Sequence, residues 1–152
     1  MRQLPVMLLG ALLSVAASAE TPDGAAIFSQ NCAMCHQSGG AGLPGQFPRL
    51  AGRIGPISAK PAGRAYLVDV LTYGMVGQIT VDGQPIIGMM PPFASLPDEQ
   101  VAAVLGYLQS LGGAPKEAFT AAEVTAGRAR DKKSGSEVMA ERQGLAASGV
   151  VK

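Results

Sequence analysis

The chain has 152 residues, with one histidine, two cysteines, no tryptophan, and 12 basic against 11 acidic side chains. That length suits one compact domain of about 100–150 residues plus an extension, and the even charge excludes a basic nucleic-acid stripe or an acidic polyelectrolyte. Aromatic residues make up 5% of the chain, a thin supply for a core of ordinary density, which points to something other than protein filling part of the interior.

The first 19 residues have the pattern of an export leader. Arg2 gives the positive end, Leu4–Val15 is almost unbroken apolar sequence, and Ala17-Ser18-Ala19 offers small residues for cleavage before Glu20. The apolar run is shorter than the roughly 20 residues a spanning helix needs. A cleaved, soluble, periplasmic protein is therefore expected, with 11 basic and 11 acidic side chains once Arg2 is lost.

Asp23 to about Cys35 is predicted helical, with Gly24, Ile27/Phe28, Asn31/Cys32 and Cys35 on one 3.6-residue face. Residues 37–61 are rich in Gly and Pro and are predicted to be mostly loop with short turns. A second helix is expected from Ala62 or Gly63 to Tyr73. Residues 78–87 alternate around Asp82-Gly83, a strong two-residue hairpin turn. Pro91-Pro92 enforces an extended turn. Residues 98–111 give the clearest helix, with Val101, Val104, Leu105, Leu108 and Leu111 in one stripe and Gly112-Gly113 as the stop. The compact unit ends near residue 115. Residues 116–152 form a polar extension, partly helical or disordered, in which Thr120–Glu123 and Ser134–Glu137 have the spacing of capping boxes.

Both cysteines and the only histidine fall in Cys32-Ala33-Met34-Cys35-His36. A structural zinc site needs a fourth ligand that nothing in the sequence recommends. A redox dithiol belongs at a helix start after a strand, whereas these cysteines end the first helix. A disulfide closing so short a loop stabilises little. Haem attachment uses all three residues: two thiols three apart on a helical end add to two vinyl groups, and His36, four from Cys32, lies on the same face. Cys-x-x-Cys-His is the pattern of c-type attachment.

With no second histidine, two-histidine ligation is excluded; methionine supplies a soft thioether, and Met/His ligation raises the haem potential. Met34, Met75, Met89, Met90 and Met139 remain after the leader. Each is ordinarily core filler. Met34 is too near the attachment site and Met139 lies in the extension, while Met75 suits the haem edge. Met89-Met90-Pro91-Pro92 differs, because the prolines stiffen the backbone just after the sulfur.

Over residues 22–112 the sequence resembles a monohaem class I cytochrome c of the bacterial exported type. Gly24 and Phe28 before Cys32, with Tyr107 in the last helix, resemble the residues at which the family's terminal helices cross. Pro48-Arg49-Leu50 resembles the segment whose proline carbonyl accepts the proximal histidine's N–H. Met90-Pro91-Pro92-Phe93, running into Leu96-Pro97-Asp98-Glu99, resembles the distal-ligand loop. The resemblance implies an all-α fold of three to five helices around one covalent haem, with a small β-hairpin near residues 78–87. It also implies thioethers at Cys32 and Cys35, iron ligands His36 and Met90, and an apolar wrapping by Phe47, Leu50, Leu67, Leu71, Ile79 and Phe93. Arg49, Arg53, Arg64 and Tyr66 are candidate propionate partners. Pro97 stands where the family often has a Ser or Thr cap, and Lys60 is the only lysine from residue 20 to 115.

The expected function is a one-electron carrier, not an enzyme, cycling Fe(III)/Fe(II) between a periplasmic dehydrogenase or respiratory donor, such as a bc1-type complex, and a membrane oxidase. Alternatives are a dedicated cytochrome subunit of a dehydrogenase for alcohols, sulfite or similar substrates, a thiol–disulfide oxidoreductase using Cys32 and Cys35, and a peroxidase or sensor with an open iron. A monomer or one subunit of a heteromer is expected.

Overall fold

A computed structural model describes residues 21–113 and 117–152; the leader, its cleavage at Ala19 and the boundary near residue 115 lie outside the described residues. The elements run α1 (Gly24–Asn31), α2 (Ala33–His36), α3 (Ile54–Ser58), α4 (Pro61–Tyr73), β1 (Met75–Val81), β2 (Gln84–Met90), α5 (Asp98–Ser110), α6 (Ala121–Arg128) and α7 (Gly135–Ala147). This is an all-α bundle with one small antiparallel hairpin, the class I cytochrome c architecture.

The Asp23 carboxylate caps α1 by accepting from the amides of Ala25 and Ala26 at 2.9 and 3.2 Å. The single helix expected over residues 23–35 is broken at Cys32, whose φ/ψ of −120°/−32° separates α1 from α2. Helix α3 arises inside the Gly/Pro-rich stretch, where no helix is expected. Pro56 is in its first turn, where a missing N–H leaves no bond unmade. Helix α4 starts earlier than the periodicity suggests because Pro61 sits at its first position. Asp82 and Gly83 (φ 51° and 77°) form the two-residue turn of the hairpin. Its register pairs Val81 with Gln84 and Met75 with Met90, extending both strands three residues beyond the predicted span.

Helices α1 and α5 cross at Gly24. A Cβ there would stand 2.1 Å from the Ala103 carbonyl oxygen and 3.0 Å from the Tyr107 Cβ. The Phe28 and Tyr107 rings stack beside this crossing, 5.4 Å between centroids and 47° apart. Phe28, Val101, Val104 and Leu105 are all at most 2% exposed. Pro97 makes no side-chain cap to α5; Asp98 and Glu99 in its first turn complement the helix dipole instead.

The extension joins the same core. Ser134 and Glu137 complete a reciprocal capping box at α7, and the Thr120 hydroxyl accepts from the Glu123 amide at α6. Val124 and Val138 are fully buried and Val151 is 2% exposed. Gly127 brings α6 against α4, since a Cβ there would meet Val68 Cγ1 at 2.6 Å. Asp69 on α4 is also buried, and its carboxylate receives Arg130 and Lys133 at 2.7 Å each.

Candidate cofactor site

A cavity of about 310 Å³ lies between α1–α2, α4, the hairpin and α5, within the range of about 300–1,000 Å³ common to small-ligand sites. Cys32, Cys35 and His36 line one part of it; Met75, Ile79 and Met90 come from the hairpin, and Leu105 and Leu108 from α5. The break at Cys32 matters here. It ends α1 and lets the short turn α2 carry Cys35 and His36 into the same wall.

His36 is 7% exposed, and its Nδ1–H donates to the Pro48 carbonyl across 2.9 Å. Since a carbonyl only accepts, this bond fixes the tautomer and leaves Nε2 as the basic nitrogen. Burial pushes the imidazole below its ordinary pKa, with the Pro48 bond opposing, so the ring is neutral and available as a donor atom. Both thiols are free. Burial, with a smaller contribution from Cys35, pushes Cys32 up to about 11. Among the described residues no group of three His, Cys, Asp or Glu is placed to hold a metal ion.

The tandem methionines point apart, as alternate strand residues must. Met90 faces the cavity, while Met89 is 74% exposed. Met75, opposite Met90 in the ladder, also lines the cavity, and its Sδ accepts from the Tyr66 hydroxyl at 3.5 Å. Met34 is at the rim and 87% exposed; Met139 packs over Gly77 in an adjoining groove. Pro48, Leu50, Leu67, Leu71, Ile79 and Phe93 line the cavity as the sequence suggests. Phe47 does not. It closes the turn begun at Leu43, whose amide donates to the Phe47 carbonyl, and its side chain lines the adjoining groove.

Of the predicted acid-binding residues, Arg49, Arg53 and Tyr66 line the cavity. Arg64 lies elsewhere: its guanidinium forms a two-pronged pair with Glu123 at 2.6 and 2.7 Å and donates to the carbonyls of Glu117 and Ala118. It also stacks 4.1 Å above the Phe119 ring. Arg64 anchors the extension. The sequence reading missed Arg142, Ile54 and Ile57, which also line the cavity. The two isoleucines belong to the unexpected α3, and no pattern marks Arg142, because its place depends on how α7 docks.

Helices wrapped on an apolar cavity, with Cys-x-x-Cys-His in its wall, define a class I c-type cytochrome domain. Residues 19–108 match the family described as cytochrome C oxidase, cbb3-type, subunit III. Over 128 residues the chain is 48% identical to cytochrome c-552 of Thermus thermophilus, covering 81% of this chain and 96% of that protein. It is 35% identical over 95 residues to the cbb3-type cytochrome c oxidase subunit FixP of Sinorhizobium medicae (62% of this chain, 31% of FixP). It is 33% identical over 120 residues to the fructose dehydrogenase cytochrome subunit of Gluconobacter japonicus (74% of this chain, 23% of that subunit). The chain belongs to the family of cbb3-type cytochrome c oxidase subunit III, among the c-type cytochromes.

Membership makes the protein a periplasmic electron carrier, not a catalytic enzyme, with a single covalently bound haem c and its iron. The residues present fit that group. Two free thiols, a neutral imidazole with one committed nitrogen, a thioether on another element and three guanidiniums share one otherwise apolar cavity. Among the described residues no helix is long and apolar enough to cross a membrane.

Proposed function

We propose that the protein shuttles single electrons at a haem c joined to Cys32 and Cys35 and ligated by His36 and Met90. What carries the reading is that His36 and Met90, remote in sequence, line the same apolar cavity as both thiols. When bound, the haem iron supplies reversible one-electron chemistry. The Pro48 carbonyl holds the His36 ring in one orientation and makes Nε2 a better donor. Met90 offers a soft sulfur that favours reduced iron. Leu50, Leu67, Leu71, Ile79 and Phe93 exclude water, which also favours the less charged state. With His36 and Met90 both holding the iron, substrate would be kept from it.

We place a leader at residues 1–19 cleaved after Ala19, the cytochrome domain at 20–115 and the extension at 116–152. A free shuttle between a periplasmic dehydrogenase or respiratory donor and an oxidase is favoured, because the chain is 48% identical to cytochrome c-552 and 33% identical to the dehydrogenase subunit. The dehydrogenase-subunit reading predicts co-purification with a larger catalytic chain. Intact mass and an alkaline pyridine spectrum test the assignment: one haem covalently bound to a chain beginning at Glu20 is expected. A colourless protein with two titratable thiols would overturn it in favour of thiol–disulfide chemistry.

A further inference from the structure

Three guanidiniums, those of Arg49, Arg53 and Arg142, line one cavity. Asp82 serves two of them. It pairs with Arg49 at 2.8 and 2.9 Å and with Arg53 at 3.5 Å. No carboxylate among the described residues forms an ion pair with Arg142. Positive charge therefore exceeds negative charge beside an apolar space, where unpaired cations are costly. Arg53, its side chain 14% exposed, feels this directly. Burial, repulsion from Arg142 and repulsion from Arg49 all hold it below its ordinary pKa, with Asp82 opposing. The buried Tyr66 hydroxyl, which donates to the Met75 sulfur, faces the same cavity.

An anion would balance this charge, and a haem carries two propionate carboxylates. We propose that α7 is part of the cofactor site and that Arg142, with Arg53, binds those carboxylates. This rests on the haem reading above. It gives the C-terminal extension a function: the extension brings a cation to the cofactor that the core lacks. Two contacts hold the extension in position independently of Arg142. Lys133 and Arg130 bind Asp69, and Arg53 donates to the main-chain oxygen of Lys152. Met139, one turn before Arg142, also packs on Gly77 of β1. Removing the Arg142 head group therefore leaves the docking of α7 intact.

The test compares holoprotein variants Arg142→Gln, Arg142→Lys and Arg130→Gln by spectroelectrochemical midpoint potential and by the propionate bending bands in resonance Raman. Arg142→Gln removes a positive charge that favours reduced iron, so a lower potential and shifted propionate bands are expected. Arg142→Lys should retain most of the potential and still report if the glutamine variant does not accumulate. Arg130→Gln removes a charge from the extension outside the cavity while Lys133 still holds Asp69, so both readouts should match wild type. A haem-loaded Arg142→Gln with wild-type potential and bands overturns the inference, as does an equal shift in Arg130→Gln. Absence of haem from the wild-type protein would instead sink the haem reading on which the inference rests.

Discussion

Gly24→Ala and Gly106→Ala put the same methyl group on two crossing helices, and the structure gives them opposite signs. At Gly24 the added Cβ would lie 2.1 Å from the Ala103 oxygen and 2.7 Å from its carbonyl carbon. Both are backbone atoms, so α5 as a whole has to move by about 1 Å to reach ordinary contact. Such overpacking costs about 1–3 kcal/mol. Displacing Phe28 from Tyr107 forfeits about 0.5–1.5 kcal/mol more. Helix propensity returns at most about 1 kcal/mol, and less at the first helical residue. The net loss is about 2–3 kcal/mol, or a fall in Tm of roughly 10 °C for a chain of this size. Gly106 has nothing within 4 Å of its Cβ position and lies mid-helix, so Gly106→Ala should gain about 0.5–1 kcal/mol. Urea titration of the holoprotein followed by far-UV circular dichroism reads both through the midpoint at constant slope. A Gly24→Ala midpoint equal to or above wild type would refute the close crossing.

Met90→Ala should lower the midpoint potential and abolish the optical signature of thioether ligation, while Met89→Ser, on the exposed face, should change neither; a shift in the Met89 variant alone would exchange the two assignments. Asp69→Ala leaves Arg130, 42% exposed, free to turn to water and Lys133 still paired with Glu141, so a loss of about 1–3 kcal/mol is expected. Replacing Arg130 and Lys133 together leaves a carboxylate buried without a partner and should cost more, about 3–5 kcal/mol; thermal melts giving the reverse order would contradict the buried geometry. Arg64 holds the Glu123 carboxyl below the ordinary carboxylate range. A depressed acid stabilises above its unfolded pKa, and that contribution disappears as pH falls through the folded value. Limited proteolysis should therefore release α6 on acidification below the ordinary carboxylate range, and Glu123→Gln should expose the extension already at neutral pH.

Where residue type and spacing carry the chemistry, the sequence was legible. Gly24, Phe28 and Tyr107 mark the helix crossing, Asp82-Gly83 marks the turn, and Cys32, Cys35, His36, Pro48 and Met90 assemble at one cavity. What could not be read depends on long-range contact. Arg53 and Arg64 look alike as residues, and only the position of Glu123 assigns Arg64 to the extension. Each extension helix buries only one or two large apolar side chains, too few for a strong 3.6-residue period. Their partners, Val68, Asp69 and Gly77, belong to elements far back in the chain. Helix α3 was hidden by Gly55 and Pro56, residues that ordinarily signal loop but that one short turn accommodates.

The broken helix at Cys32 has a consequence for biosynthesis. Cys32, Cys35 and His36 emerge early from a chain made N-terminus first, whereas Leu105, Leu108 and Arg142, which wall the same cavity, emerge late. The burial that pushes the Cys32 thiol up to about 11 belongs to the folded chain, whose cavity wall includes that late sequence. Before that sequence docks, the thiol is more open to solvent than in the folded chain. On the proposed reading of Cys32 and Cys35 as haem anchors, the interval between motif and wall sets a window for covalent attachment.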